Sequence, residues 1–163
     1  MFVADTKTHR ICRIDLDYKN HADKRLMDEK DVAIVMVSTV AGGDNEGYAD
    51  GVADEARFWR PTGLALDSAG DIIVADFTNS AIRKIGRHTW KVTTIAGGPR
   101  LQPNDSMEVE YAEASIDTAI FNCPTKVLVD KDNNIVVSDN NNHRIRMICG
   151  ENVHTIAGMI EDD

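Results

Sequence analysis

A stretch of the chain that begins at Phe58 occurs again, 63 positions later, at Phe121. Each copy contains Phe, two variable residues, Pro-Thr, an apolar segment that ends in Asp, a polar turn and a second apolar segment that ends in Asp. The Phe, the Pro, the Thr and both Asp residues keep this spacing in the two copies. A repeat in constant register indicates a fold that is assembled from copies of one supersecondary unit.

The second copy is complete and is predicted to form four short strands, named a to d. Their segments are rich in Ile, Val and Thr and are separated by turns that contain Gly, Asp or Asn, which is typical of an antiparallel meander. The four segments are 62–67 (a), 71–76 (b), 81–85 (c) and 91–96 (d). The third copy repeats this pattern, with strand c at 144–148 and strand d at 153–157.

The first copy begins late in the unit. Residues 3–14 align with 74–85, and residues 37–43 align with 92–98, so strand a has no counterpart in this copy. The offset of the second alignment is smaller than that of the first, which places an insertion between strands c and d, at residues 18–31. The insertion is highly charged, and we expect a solvated loop there.

Strand b of each full copy is a continuous apolar run. A sheet with one face in water would alternate apolar and polar residues, so continuous runs indicate burial on both faces. Four-stranded sheets that pack face to face are the blades of a β-propeller. The sequence therefore predicts an all-β fold of four-stranded antiparallel blades.

The repeated residues resemble the NHL repeat. The resemblance is carried by Asn79 and by the segments 48–51, 56–58, 61–67, 70–76, 82–85 and 96–98. It covers nearly the whole chain apart from 19–31 and the middle of the connector at 99–110. The resemblance implies a propeller, commonly of six blades, that serves as a binding platform for proteins or, in some members, for RNA. A few relatives of the family are enzymes.

The chain is expected to form one partial NHL propeller domain, residues 1–163. Its three parts are an incomplete blade with the insertion (1–43), a full blade with its incoming connector (44–98) and a second full blade with its connector (99–163). Three blades cannot close a ring, so we expect the terminal blades to present apolar faces that invite association. The chain is then either a piece of a longer propeller or a homo-oligomer, most simply two halves around a two-fold axis.

One face of the propeller collects the candidate binding residues. In an antiparallel meander the b–c loops and the d–a connectors emerge on the same face, which we name the upper face. Trp, Tyr and Arg dominate the energetics of protein contacts, although each aromatic residue also has a packing interpretation, in which it fills a gap between blades. The candidates are Tyr48, Trp59, Arg60, Phe77, Asn122, Asn141 and His143.

An aspartate follows strand b in every copy, at Asp5, Asp76 and Asp139. A cluster of carboxylates would be a candidate for catalysis, but an active site breaks the symmetry of a repeat. Recurrence therefore favours a structural role, in which Asp accepts N–H bonds at the start of the b–c loop. The sequence has no nucleophile motif, no phosphate loop and no metal-ligand spacing. It predicts no catalytic residue, no cofactor and no metal site.

The net charge of −9 and the pI near 4.9 disfavour a surface made for phosphate backbones. The three cysteines, Cys12, Cys123 and Cys149, have no paired spacing and are typical of reduced thiols in an intracellular protein. No apolar run approaches the length of a membrane span. We therefore expect an intracellular and cytoplasmic location.

The leading hypothesis is a non-catalytic binding or scaffold module that holds a protein partner on its upper face. RNA binding is the alternative that the resemblance permits, and it would use the few basic residues Arg57, Arg60, Lys126 and Arg144. A fragment of a propeller enzyme, a hydrolase or a lyase, is a second alternative. The sequence offers no convergent acid, base and metal set for it.

Overall fold

Three antiparallel sheets contain the strands of this computed structural model, which describes residues 1–18, 32–99 and 113–158. The first sheet has β1 (Phe2–Asp5), β2 (Arg10–Tyr18) and β3 (Val32–Gly42). The second has β4 (Gly51–Val52), β5 (Pro61–Leu66), β6 (Ile72–Asp76), β7 (Ala81–Ile85) and β8 (Lys91–Gly97). The third has β9 (Glu113–Ser115), β10 (Pro124–Val129), β11 (Ile135–Asp139), β12 (Arg144–Cys149) and β13 (Asn152–Gly158). We call these sheets the first, second and third blades.

The predicted strands a to d are confirmed in both full blades, as β5 to β8 and β10 to β13. Consecutive strands pair antiparallel, so each blade is a meander. The sequence did not predict the fifth strand of each full blade, which the incoming connector adds beside strand d: β4 pairs with β8, and β9 pairs with β13. Segments of two and three residues are too short to show a strand pattern.

The first blade has no strand a among its described residues, as expected, and its β2–β3 hairpin is longer than predicted. The pairing continues past Ile14, through Asp15 opposite Met36, to Tyr18 opposite Val32. Residues 32–37 are mostly β-branched, and this composition favours strand structure beyond the part that aligns with the other copies. Tyr18 is therefore the last residue of β2, and the rest of the predicted insertion, 19–31, lies outside the described residues.

Each junction between blades holds its own apolar cluster. Alternate residues of β6 point in opposite directions: Ile72 and Val74 pack toward the first blade, and Ile73 and Ala75 toward the third. All four residues are at most 2% exposed. The prediction that strand b is buried on both faces is confirmed, and the second blade packs against a neighbour on each side.

A phenylalanine from each connector is buried in each junction. Phe58 and Phe121 are 0% and 2% exposed. A Cβ added at Gly42 would lie 3.0 Å from the Phe58 ring, and one added at Gly97 would lie 2.9 Å from the Phe121 ring. Each phenylalanine therefore packs on the glycine that ends strand d of the preceding blade, and the packing interpretation holds for both.

The innermost strands of the second and third blades come close together at Gly63. A Cβ at this position would lie 2.7 Å from the Thr125 carbonyl oxygen and 2.8 Å from the Lys126 Cα, so no side chain fits there. The Thr62 hydroxyl donates a hydrogen bond to the same Thr125 oxygen, at 3.1 Å. At the other junction the Thr6 hydroxyl donates to the Pro61 oxygen, at 2.8 Å.

Replacing Phe121 by Ala should lower the free energy of unfolding by about 3–5 kcal/mol, because it removes a buried ring and leaves a cavity between two blades. Urea unfolding followed by tryptophan fluorescence measures the change. The matched control is Leu128→Ala in the same blade, since Leu128 is 67% exposed and surface changes usually stay within about 0.5 kcal/mol. Equal losses in the two variants would contradict the assigned junction.

Candidate interaction face

A buried ion pair holds the loops of the upper face on the second blade. Arg83 and Asp76 are both fully buried, and Arg83 Nη1 lies 2.8 Å from Asp76 Oδ2. The other carboxylate oxygen accepts the backbone N–H of Trp59 at 2.8 Å, and Oδ2 also accepts from Asn79 Nδ2 at 2.9 Å. The aspartate that ends strand b therefore fixes both the connector at Trp59 and the b–c loop at Asn79.

The same guanidinium is wrapped by the incoming connector. Arg83 Nη2 donates to the Ala49 oxygen at 2.8 Å and to Asp50 Oδ1 at 2.7 Å. Its Cζ lies 4.8 Å from the centroid of the Tyr48 ring and 5.2 Å from that of the Phe58 ring. Stacking of this kind suits the planar, weakly hydrated guanidinium group. Arg83 thus ties strand c to the connector at residues 48–50 and at Phe58.

The third blade repeats the arrangement. Asp139 accepts the Asn122 N–H at 2.7 Å and an Asn142 Nδ2 hydrogen bond at 2.8 Å, and Arg146 Nη1 lies 3.6 Å from its carboxylate. The Arg146 guanidinium lies 5.7 Å from the centroid of the Phe121 ring. The predicted structural role of the recurrent aspartates is therefore confirmed for Asp76 and Asp139. We call each set of Asp, Asn and Arg the blade cluster.

The arginines of the blade clusters escaped the sequence analysis, although a signal was present. Arg83 and Arg146 are charged residues inside the predicted strands c, 63 positions apart, and strand c is expected to pair with the buried strand b. A charge that recurs inside a buried strand requires a buried partner. The aspartate that recurs at the same spacing was the available partner.

Backbone hydrogen bonds fasten each loop to the blade before it. The Arg60 N–H donates to His9 Nδ1 at 3.0 Å, and the Cys123 N–H donates to Ser80 Oγ at 3.4 Å. His9 and Ser80 occupy equivalent positions, and His143 is the next member of the series. All three have positive φ, between 51° and 57°, which is uncommon for residues other than glycine.

Three of the candidate residues meet on the second blade. Trp59 is 41% exposed, and its carbonyl accepts the Thr78 N–H at 3.0 Å. The Arg60 guanidinium lies 5.7 Å from the centroid of the Phe77 ring. Trp59 adjoins Arg60 in the chain, and its carbonyl bonds to the residue after Phe77, so we treat Trp59, Arg60 and Phe77 together as the Trp-Arg-Phe group.

Two further candidates meet on the third blade. The Asn141 N–H donates to the Asn122 oxygen at 3.1 Å, and Asn141 Nδ2 lies 3.3 Å from Asn122 Oδ1. His143 is exposed and follows a short 3₁₀ turn at Asn140–Asn142. These residues form a polar surface beside the Trp-Arg-Phe group.

Tyr48 is placed differently from the other candidates. Its ring stacks on the buried Arg83, and its hydroxyl lies 2.9 Å from Thr94 Oγ1. The side chain is 40% exposed, but its contacts are those of a packing residue that covers the blade cluster.

Cys123 lies between the two groups of candidates. Burial raises the pKa of its thiol, the Asp139 carboxylate raises that pKa further, and the positive charge of Arg60 opposes both effects. A thiol with a raised pKa is a poor nucleophile. Its place beside Arg60 makes it part of the surface that joins the second and third blades.

The described residues contain no group of three or more His, Cys, Asp or Glu side chains that could hold a metal ion. No described helix is long and apolar enough to cross a membrane.

Residues 1–162 match the family model described as the Teneurin NHL domain. Teneurin-1 of Gallus gallus is 30% identical over 170 residues, which covers 94% of this chain and 6% of that protein. NHL repeat-containing protein 2 of Homo sapiens is 34% identical over 97 residues, which covers 60% of this chain and 11% of that protein. The chain thus spans only a small part of these relatives.

Solved structures show the same fold. An auxiliary nutrient binding protein of Bacteroides thetaiotaomicron has a TM-score of 0.68 at 23% identity, over 92% of this chain and 34% of that chain. A protein of the same description from Bacteroides ovatus has a TM-score of 0.66 at 25% identity, over 91% of this chain and 34% of its own. The NHL-type propeller fold is therefore confirmed, with the described strands forming three blades.

Replacing Arg83 by Met should lower the free energy of unfolding by about 3–5 kcal/mol, because the buried Asp76 carboxylate loses its counter-charge. The double variant Asp76→Leu/Arg83→Met should be more stable than Arg83→Met alone, since it leaves no unpaired buried charge. Guanidinium chloride unfolding measures both. If the double variant loses as much free energy of unfolding as Asp76→Leu and Arg83→Met lose together, the two residues act independently and the ion pair is not supported.

Proposed function

This chain belongs to the Teneurin NHL domain family, and we propose that it is a non-catalytic binding module whose upper face holds a protein partner. The observation that carries the proposal is the Trp-Arg-Phe group. It presents an indole that is 41% exposed next to an exposed guanidinium. Arg60 takes part in none of the ion pairs among the described residues. Its guanidinium is therefore available to an acidic group of a partner.

The loops that carry this group are held before a partner arrives. The Trp59 N–H is bonded to Asp76, its carbonyl accepts from Thr78, and the Arg60 N–H is bonded to His9. A surface that is already ordered loses less conformational entropy on binding than a mobile one. The backbone geometry therefore supports use of these side chains as anchors.

The chemistry of the group selects the kind of partner. Trp and Arg are the residues most enriched among those that carry binding energy in protein interfaces. A guanidinium forms strong paired hydrogen bonds with a carboxylate, and the indole offers apolar area. The partner we propose is a protein segment that presents an Asp or Glu beside an apolar side chain, with Asn122 and Asn141 at the polar margin of the contact.

Two of the four basic residues named for the RNA alternative, Arg57 and Arg144, already donate hydrogen bonds to backbone carbonyls. Arg57 donates to the carbonyl oxygens of Asp54 and Ala56, and Arg144 Nη1 donates to the Asn142 oxygen at 2.8 Å. Groups engaged with the backbone are poorly placed to neutralise phosphates, on which the affinity for nucleic acids depends. These contacts favour the protein partner.

The double variant Trp59→Ala/Arg60→Ala should weaken partner binding at least about thirtyfold, which corresponds to about 2 kcal/mol for one strong anchor. Partners are captured on the immobilised chain, identified by mass spectrometry, purified and titrated by calorimetry. Circular dichroism should show an unchanged fold, because both side chains are exposed.

The matched control is Leu66→Ala/Arg87→Ala. It removes an exposed apolar and an exposed basic side chain beside the a–b and c–d turns, on the opposite face. It should leave the affinity unchanged. If the control weakens binding and the upper-face variant does not, the contact lies on the lower face and the proposal is wrong.

A further inference from the structure

One hydrogen bond that positions Arg60 ends on a titratable ring. The Arg60 N–H donates to His9 Nδ1 at 3.0 Å. A ring nitrogen accepts a hydrogen bond only while it carries no proton, so the ring in this contact is neutral, with its proton on Nε2. Histidine is the side chain that ordinarily changes its charge between about pH 5 and pH 8. Once the ring takes up a second proton, both nitrogens are donors and the Arg60 N–H has lost its acceptor.

The connector brings two charged residues, Glu46 and Arg60, to the His9 ring. Glu46 Oε2 lies 3.8 Å from His9 Nε2, on the side of the ring away from the bond to Arg60. A carboxylate at this distance favours the imidazolium over the neutral ring. Next to His9 in the chain, Arg10 is already paired with Asp44. Glu46 therefore stabilises the form of the ring that cannot accept the Arg60 N–H.

The backbone of Arg60 depends on such contacts. Its φ of 56° is in the left-handed region, which residues other than glycine keep only where the surrounding structure holds them. The preceding residue, Trp59, is held separately, because its N–H donates to the Asp76 carboxylate at 2.8 Å. Asp76 is the other titratable group bonded to this loop, and burial raises the pKa of its carboxyl. Loss of the His9 bond thus frees Arg60 and leaves Trp59 bound.

The next junction has the same bond without a titratable acceptor. The Cys123 N–H donates to Ser80 Oγ at 3.4 Å, and Cys123 has a φ of 53°. Ser80 stands in the place of His9, and the two residues have φ values of 51° and 57°. A serine therefore fits the backbone conformation of position 9, and its hydroxyl still accepts a hydrogen bond when the pH falls.

We propose that His9 is a positioning residue whose protonation releases the Arg60 backbone and so weakens the Trp-Arg-Phe group as an anchor. Near neutral pH the neutral ring holds the loop that presents Arg60. In acid the imidazolium pairs with Glu46, and the Arg60 N–H turns to solvent. The effect on binding rests on the proposed function of the upper face, whereas the release of the Arg60 amide requires no partner.

Amide hydrogen exchange measured by NMR on the 163-residue chain tests the release. Protection is the slowing of exchange relative to an unstructured peptide at the same pH. At Arg60 it should fall about threefold to tenfold on acidification, the loss of one neutral hydrogen bond, with the midpoint at which the His9 ring itself titrates. The Cys123 amide should keep its protection. An Arg60 amide that stays protected while the His9 ring titrates would overturn the proposal.

The matched variant is His9→Ser, which places at position 9 the acceptor that the chain has at Ser80. The Arg60 amide should stay protected in this variant at every pH of the series. If its protection still falls in acid, the cause is another group, Asp76 first, and His9 does not have the proposed role.

The carboxylate of Glu46 has a test of its own. Glu46→Gln changes an exposed side chain, so the fold should be preserved. The midpoint for release of Arg60 should move to lower pH, because the imidazolium loses the charge that stabilises it. An unchanged midpoint would show that the protonated ring does not pair with Glu46.

Binding is measured with a partner captured on the upper face. Its affinity for the unaltered chain, relative to that for His9→Ser, should fall about threefold to tenfold on acidification. The ratio removes any titration of the partner's own groups. A constant ratio, with release of the Arg60 amide observed, would overturn the regulation of binding. Loss of the upper-face contact itself is detected separately, by the Trp59→Ala/Arg60→Ala variant at neutral pH.

Discussion

The upper face depends on a positive charge buried inside the second blade. A buried guanidinium is tolerated only where a counter-charge and acceptors satisfy it, and Arg83 obtains these from two parts of the chain: Asp76 at the end of strand b and the connector. The connector is held around Arg83 because carbonyl oxygens of the connector accept hydrogen bonds from the Arg83 guanidinium. The exposed residues that follow in the sequence are ordered as a result.

The repeat and the candidate site use different residues of the same loops. The phenylalanine recurs because each junction between blades buries one, and the aspartate recurs because each full blade uses it to hold its own connector and b–c loop. Trp59 and Arg60 do not recur, since the third blade has Asn122 and Cys123 in their places. The repeated residues supply a rigid backbone, and the individual ones give one sector of the face its own chemistry.

The sequence predicted the strands well because Ile-, Val- and Thr-rich segments recur in constant register and are separated by turns that contain Gly, Asp or Asn. It did not predict β4 and β9, whose two or three residues pair with strand d through the backbone and leave no side-chain pattern. The upper face could be predicted from topology, but the contact of Arg60 with Phe77 could not, because it depends on how two loops fold over the sheet. Tyr48 shows the same limit: an aromatic residue in a connector has the same signature whether it binds a partner or covers Arg83.

Gly63 makes the blades of this chain non-interchangeable. The close approach of two innermost strands requires a residue without a side chain on the earlier blade, and the equivalent residue of the third blade is Lys126, which is exposed. The third blade comes so close to Gly63 that a side chain there would collide with it. A blade that followed the third blade in the same way would collide with the Lys126 side chain. The order of the two full blades is therefore set by the contact between their innermost strands, and exchanging the second and third repeats would place a lysine where the neighbouring strand leaves no room for one.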